Sequence, residues 1–205
     1  MKDQKPVIVL DAGGVLVTFN THLLFEQLAT RFGVNMPPPS LVDLDALFFP
    51  LQTGKASWDA FYPVLNRALG VSISSEAWRE LCCGIFTGEM PGMRDVLLEL
   101  KNRFSLVALS NTIEVHWTFL VREYPIFGLL DGWVVSYMAG AEKPDPAIYR
   151  ALADRYCDGR PPFFYTDDMA QYVEAARRLG WKAEVFHDSS GFLEDIQQLC
   201  TGRKA

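Results

Sequence analysis

The sequence predicts an α/β protein: a parallel sheet flanked by helices, with a helical insert directly after the first strand. Three observations predict it. From Pro91 onward, short β-rich runs alternate with amphipathic segments of helix length, the mark of βαβ units and right-handed crossovers. A single apolar run, Val7-Ile8-Val9-Leu10, stands at the start and has the unbroken hydrophobicity of a strand buried on both faces. Between Leu16 and about residue 90 every periodic segment is helical and no strand candidate appears.

The first strand ends in Asp11, and the two glycines behind it, Gly13 and Gly14, let the backbone turn back tightly. A carboxylate at the C-terminal edge of a parallel sheet lies where open α/β folds bind ligands. There it can attack an electrophile or hold a cation; capping a helix entry is the competing role for the same residue. The insert then carries three amphipathic helices, marked by Leu24, Phe25, Leu28 and Phe32, by Trp58, Phe61, Tyr62, Leu65 and Leu69, and by Trp78, Leu81, Cys82, Ile85 and Phe86. Pro37-Pro38-Pro39 forces an extended break between the first two. The organisation expected is a sheet-bearing core of residues 1–18 and 89–205 with a helical subdomain of residues 19–88 set over the sheet's edge.

In the second half a helix on Met93, Val96, Leu97, Leu100 and Phe104 leads into a strand at Ser105–Leu109. A helix from about Ile113, a strand at Trp133–Val135 and a helix opening at Pro146 follow. The pattern closes with a strand at Phe163–Tyr165, a helix ending near Gly180, a strand at Ala183–Phe186, and a last helix on Phe192, Leu193, Ile196 and Leu199.

Composition narrows the function classes. At 205 residues and 49% hydrophobic content, the chain can bury a full core without staples. The four cysteines (Cys82, Cys83, Cys157, Cys200) follow no metal-ligand spacing, and the adjacent pair is poorly placed to bridge, so reduced thiols in the cytoplasm are expected and no zinc site is implied. The apolar run after Met1-Lys2-Asp3-Gln4-Lys5-Pro6 is too short for a signal core, and no segment has the length to cross a bilayer. With a net charge of -6 and scattered basic residues, apart from a terminal Arg203-Lys204 pair read as a solvated tail, neither a nucleic-acid nor a membrane partner is expected. The assembly expected is a monomer or homodimer.

Four strands, placed in the middle of the sheet, lead to conspicuous polar groups. The first ends in Asp11, the second in Ser110-Asn111-Thr112 and the fourth in Thr166-Asp167-Asp168; after the third the chain runs through Glu142 to Lys143-Pro144-Asp145-Pro146. Parallel strands bring these ends to one edge. Asp11 and Asp168 offer hard oxygen ligands suited to magnesium, and Ser110, Lys143 and backbone amides suit phosphate oxygens. With a metal and a lysine on a phosphoryl group, Asp11 could act as nucleophile and form an aspartyl-phosphate. Each group alone has a plainer reading. Asp145 with Pro146 fits a helix cap, one of Asp167-Asp168 fits another, Lys143 fits a surface lysine and Ser110-Asn111-Thr112 fits a turn. Two adjacent like charges at a strand end still call for a nearby cation.

Asp11 with Gly14-Val15-Leu16, Leu109-Ser110-Asn111-Thr112, Glu142-Lys143-Pro144-Asp145-Pro146 and Thr166-Asp167-Asp168 with Val173-Glu174-Ala175-Ala176 together resemble the four ordered motifs of the haloacid dehalogenase-like (HAD) hydrolase superfamily. The stretches Leu109–Pro125 and Lys143–Tyr149 are most similar to the bacterial glucose-1-phosphate phosphatase type and to the N-terminal phosphatase domain of soluble epoxide hydrolase. The resemblance implies a Rossmann-like core closed by a helical cap, magnesium as cofactor and a small phosphorylated metabolite as substrate. It implies that Asp11 is nucleophile and magnesium ligand, that the Gly13 carbonyl and Asp168 also bind the metal with Asp167 in support, that Ser110 and Asn111 bind phosphate, and that Lys143 neutralises both. Trp58, Phe19 and other aromatics of the insert would shape the pocket.

The chain departs from the pattern at Gly13, where phosphatases of the superfamily usually carry a second aspartate as general acid and base, help typically worth about 10²–10⁴ in rate. Its absence leaves three outcomes: esters with good leaving groups, such as sugar-1-phosphates or aryl and acyl phosphates; a substitute acid such as His22 or Glu26; or lost turnover. Tyr172 stands where the family often has an aspartate or asparagine. The other functions compatible with these residues are a metal-independent haloacid dehalogenase, against which Asp167-Asp168 argues, and a catalytically silent protein that binds a phosphorylated ligand.

Overall fold

The computed structural model describes residues 5–34 and 44–202. Five parallel strands form the sheet: β1 (Val7–Leu10), β4 (Ser105–Ser110), β5 (Gly132–Val135), β6 (Phe164–Asp167) and β7 (Ala183–Val185), in the order β5-β4-β1-β6-β7. The chain builds outward from β1 to one side and then crosses to the other, so β1 lies at the point where the strand order reverses. The strand at Gly132–Val135 is an edge strand rather than a middle one, which corrects the expectation from sequence: it pairs with β4 alone.

Strand periodicity divides the core in two. Ile8, Leu10, Leu106, Ala108 and Phe164 point to one face, where α5 (Met93–Leu100), α6 (Glu114–Glu123) and α10 (Ser189–Thr201) cover them. Val7, Val9, Val107, Leu109 and Tyr165 point to the other, under α8 (Pro146–Tyr156) and α9 (Ala170–Arg178). A four-residue helix, α7 (Ser136–Ala139), follows β5. Asp145 does cap α8, its carboxylate accepting the Ala147 N–H at 2.8 Å with Pro146 in the first turn.

The segment after β1 folds as α1 (His22–Phe32), α2 (Leu44–Gln52), α3 (Trp58–Leu69) and α4 (Ser75–Cys83), and buries its own cluster built on Leu28, Phe61, Leu65, Trp78 and Leu81. Ser57 and Ser74 cap α3 and α4 by accepting the Ala60 and Ala77 N–H groups, and Gly33 and Gly70, both left-handed, end α1 and α3. Pro37-Pro38-Pro39, Met1–Gln4 and the Arg203-Lys204 pair lie outside the described residues.

Two strands the sequence did not suggest frame this segment. β2 (Val17–Phe19) and β3 (Phe86–Glu89) pair antiparallel, and α4 stops at Cys83, so Ile85 and Phe86 leave the helix they were expected to join. Both strands are too short to alternate visibly, and β3 contains Gly88, so no period-2 signal exists in the sequence; Thr18 and Thr87 tie them through their hydroxyls at 2.8 Å. Among the described residues no helix is long and apolar enough to cross a membrane.

Candidate active site

Asp11 leaves the middle strand and does not cap a helix. Its N–H donates to the Thr166 carbonyl of β6 at 3.0 Å, and its carboxylate accepts the Ala12 N–H at 2.7 Å. The chain then doubles back, with the Leu16 and Val17 N–H groups returning to the Ala12 carbonyl at 2.8 and 3.0 Å. Gly14 makes the turn at φ +76, and any side chain there would run into the Asp168 carboxylate. Over Gly13 lies the Phe19 ring, 3.1 Å from where a Cβ would stand. A side chain at Gly13 would meet this half-exposed ring of β2 in a tight contact.

Lys143 comes from the loop between α7 and α8, and only 1% of it is exposed. Its Nζ lies 3.0 Å from Asp11 Oδ1 and 2.6 Å from Asp167 Oδ2, and 4.9 Å from the centre of the Tyr172 ring. The main chain of Lys143 is clamped: its N–H donates to Asn111 Oδ1 at 2.7 Å, and Asn111 Nδ2 donates to its carbonyl at 2.9 Å. Asn111 Nδ2 also approaches the Tyr172 hydroxyl at 3.4 Å. Ser136, fully buried, likewise fixes the loop after β4 by accepting from the Thr112 N–H and donating to its carbonyl. Asp167 is fully buried. Besides Lys143 it accepts the Tyr165 hydroxyl and, on Oδ1, the Met169 N–H at 2.9 Å.

Asp11, Asp167 and Asp168 each offer a carboxylate oxygen, all within 4.8 Å of one another, and Asp168 is the exposed member. Burial pushes the Asp11 carboxyl up to about 7; Lys143 pulls it down and the Asp167 charge pushes it up again. Asp168 is also raised, by burial first and by Asp167 second. Burial lowers the Lys143 pKa, but Asp11 and Asp167 outweigh that and hold it above the ordinary lysine value. One buried ammonium thus faces three carboxylates, a charge balance that a divalent cation with hard oxygen ligands would complete. Asp11, Ser110, Lys143, Asp168 and Tyr172 open onto one cavity of about 400 Å³.

Comparison with known proteins decides the family. A model of haloacid dehalogenase-like hydrolases matches residues 5–186. The chain belongs to this family. A phosphatase of Mycobacterium tuberculosis is 32% identical to it over 212 residues, covering 94% of each chain. The D-ribitol-5-phosphate phosphatase of Bacteroides thetaiotaomicron is 24% identical over 192 residues, covering 90% of this chain and 92% of its own. Among solved structures, a HAD family enzyme of Bacteroides thetaiotaomicron crystallised with magnesium and inorganic phosphate superposes with a TM-score of 0.79 at 21% identity, covering 90% of this chain and 95% of that one.

Within this HAD hydrolase, Asp11, Gly13, Ser110, Asn111, Lys143 and Asp168 line one cavity, and Asp167 accepts a hydrogen bond from Lys143. Other expectations change. His22 and Glu26 are exposed on α1 and are not among the cavity's walls. Trp58 is buried in the helical cluster, its Nε1 donating to Ser75 at 3.0 Å, whereas Phe19 does line the cavity. Sequence reading missed Tyr165 and Ser136, whose roles depend on contacts across the fold, and also Gln52 and His116, which reach the cavity from α2 and α6. No local pattern marks any of the four.

Proposed function

We propose that the chain is a magnesium-dependent phosphatase that hydrolyses a small phosphorylated metabolite, such as a sugar phosphate, through an aspartyl-phosphate on Asp11. One observation carries the reading: the Asp11 carboxylate is held 3.0 Å from a buried lysine, in a cluster with two further carboxylates. In this reading Asp11, Asp168 and the Gly13 carbonyl hold magnesium, with Asp167 in support, and residues 19–88 form a cap over the cavity. Bound magnesium supplies Lewis-acid charge to a phosphoryl oxygen.

The residues of the chain perform the rest. Ser110 binds a phosphate oxygen, and Lys143 neutralises both that oxygen and Asp11 so that two anions can meet. An Asp11 oxygen bonds to phosphorus as the bond from phosphorus to the leaving oxygen breaks. Water then attacks phosphorus, releasing inorganic phosphate and restoring the carboxylate. Because glycine stands at position 13 where an aspartate would, the leaving oxygen receives little protonation from this loop. That favours either good leaving groups or an acid supplied from elsewhere, as the resemblance to the glucose-1-phosphate phosphatase type, which has glycine here too, implies.

The test is a panel of aryl phosphate and sugar phosphates with and without magnesium, on wild type beside Asp11→Asn. Wild type should release phosphate only with magnesium, and the variant should lose at least about two orders of magnitude in turnover. Absence of release from every ester would overturn the reading, and chloride release from 2-chloropropionate in chelator would replace it with dehalogenation.

A further inference from the structure

The β2–β3 ribbon brings an aromatic pair to the cavity at Asp11. Phe19 and Phe86 are cross-strand partners and both stand in the cavity wall, so one face of the ribbon turns toward the site. Phe86 is anchored, stacked on Phe119 with ring centres 6.0 Å apart and packed against two buried clusters. Phe19 is not. Its ring lies over Gly13, yet 46% of the residue is exposed and it joins none of the buried clusters of the described residues. The register shifts between Thr18 and Phe19, an irregularity of the kind that re-aims a side chain beside an active site. Met169, next to Asp168 in the chain and also in the wall, is 44% exposed. Single exposed apolar residues are ordinary, but several in the wall of a cavity mark where a ligand packs.

Charge in the same wall runs one way. Asp11, Glu142 and Asp168 face a single ammonium, Lys143, whose Nζ is already within 3.0 Å of Asp11 and 2.6 Å of Asp167. Even with magnesium bound, this set has no surplus positive charge, and a phosphate brings its own negative charge. The cations of residues 19–88 are placed elsewhere. Arg31 pairs with Glu80 at 3.1 Å, Arg79 with Asp59 at 3.9 Å, Lys55 sits over the Phe49 ring, and Arg67 is exposed on α3. Residues 35–43, outside the described ones, contain neither lysine nor arginine.

We infer that Phe19 determines specificity: its open ring packs against the leaving group, and the site takes phosphate monoesters whose leaving group has an apolar face and no second negative charge. The inference rests on the phosphatase reading and deepens it. A leaving group on a phosphate held beside Asp11 lies next to the Gly13 loop, where the ring of Phe19 stands. Covering that ring removes apolar surface from water, whereas a carboxylate or second phosphate on the same group would meet the carboxylate excess.

The experiment measures two pairs of esters as competitors of 4-nitrophenyl phosphate hydrolysis by the full chain with magnesium. Phenyl against methyl phosphate reads the apolar contact, and 4-carbamoylphenyl against 4-carboxyphenyl phosphate reads charge at constant shape. In wild type, the first member of each pair should bind at least about tenfold more tightly than the second. Phe19→Ser should reduce the phenyl-to-methyl ratio at least about threefold while leaving the constant for methyl phosphate unchanged, and Phe19→Leu, which keeps apolar surface, should retain most of the ratio. Absence of 4-nitrophenyl phosphate hydrolysis by wild type would sink the phosphatase reading itself. Hydrolysis with either wild-type pair bound equally, or with Phe19→Ser leaving the first ratio intact or weakening both of its esters alike, would overturn only the inference about the leaving group. Should Phe19→Ser not fold, the wild-type ratios and the phenyl-to-methyl ratio of Met169→Ser decide.

Discussion

The sheet edge and the helical segment solve opposite problems. At the sheet edge, Asp11, Lys143 and Asp167 are charged and almost wholly buried, and they are kept in place by neighbours that grip backbone as well as side chain: Asn111 on Lys143, Ser136 on Thr112, Tyr165 on Asp167. In α1, α3 and α4 the buried residues are apolar, and the main polar insertion, Asn66, is satisfied by the Trp78 Nε1 at 2.8 Å and by both backbone groups of Ile73. Removing apolar surface from water stabilises the second region directly. The first gains little from burial of charge and depends on each partner being present. One region is held by area, the other by complementarity of charge.

The largest expected effect breaks the complementarity. Lys143→Met keeps volume but leaves the Asp11 and Asp167 carboxylates buried without their ammonium, and should destabilise the fold by about 3–5 kcal/mol. Denaturant unfolding checks it. Magnesium should return part of the loss, since a divalent cation on the same carboxylates stabilises the folded state by mass action. A loss below about 1 kcal/mol would mean that Lys143 does not hold the cluster together. Leu65→Ala perturbs the other region. Its side chain sits in the helical cluster with 4% exposure, so its removal should cost about 2–5 kcal/mol by lost transfer energy and a cavity. Aryl phosphate turnover at a temperature where the variant stays folded should hardly change, because Leu65 does not line the Asp11 cavity. Similar stability losses with opposite kinetic outcomes would establish the contrast; a large fall in turnover for Leu65→Ala would erase it.

The same contrast explains what was legible in the sequence. Strand ends are written locally: an apolar run, a carboxylate, then glycine gave Asp11, and Thr166-Asp167-Asp168 stood out by the same logic. The parallel sheet and its flanking helices followed from alternation of period, which depends on near neighbours. The β2–β3 pair escaped because strands of three and four residues joined across the insert carry no period to read. Asn111 illustrates the limit. Its presence beside Ser110 was visible, but its clamp on the Lys143 backbone is a contact between residues 32 apart, set by how two loops meet. His116 was hidden more deeply, as one histidine on an ordinary amphipathic helix whose burial depends on Cys82 and Phe86.

His116 also gives the contrast its smallest and most specific measure, a pH dependence that belongs to the junction of the two regions. Its folded pKa of about 4 lies below the ordinary histidine value of 6.5 because burial disfavours the imidazolium. The unfolded chain therefore takes up this proton first as pH falls. The stability contributed by keeping the ring neutral is fully present above pH 6.5, shrinks as pH falls toward 4, and changes no further below that. The imidazole keeps some exposed surface although its Nε2 has none, so the change in that window should be about 1–3 kcal/mol. His116→Gln removes the titration. The difference in unfolding free energy between wild type and His116→Gln, measured by urea at pH 7 and at pH 4.5, should move against wild type by that amount, and a difference that stays constant with pH would show that water reaches the ring.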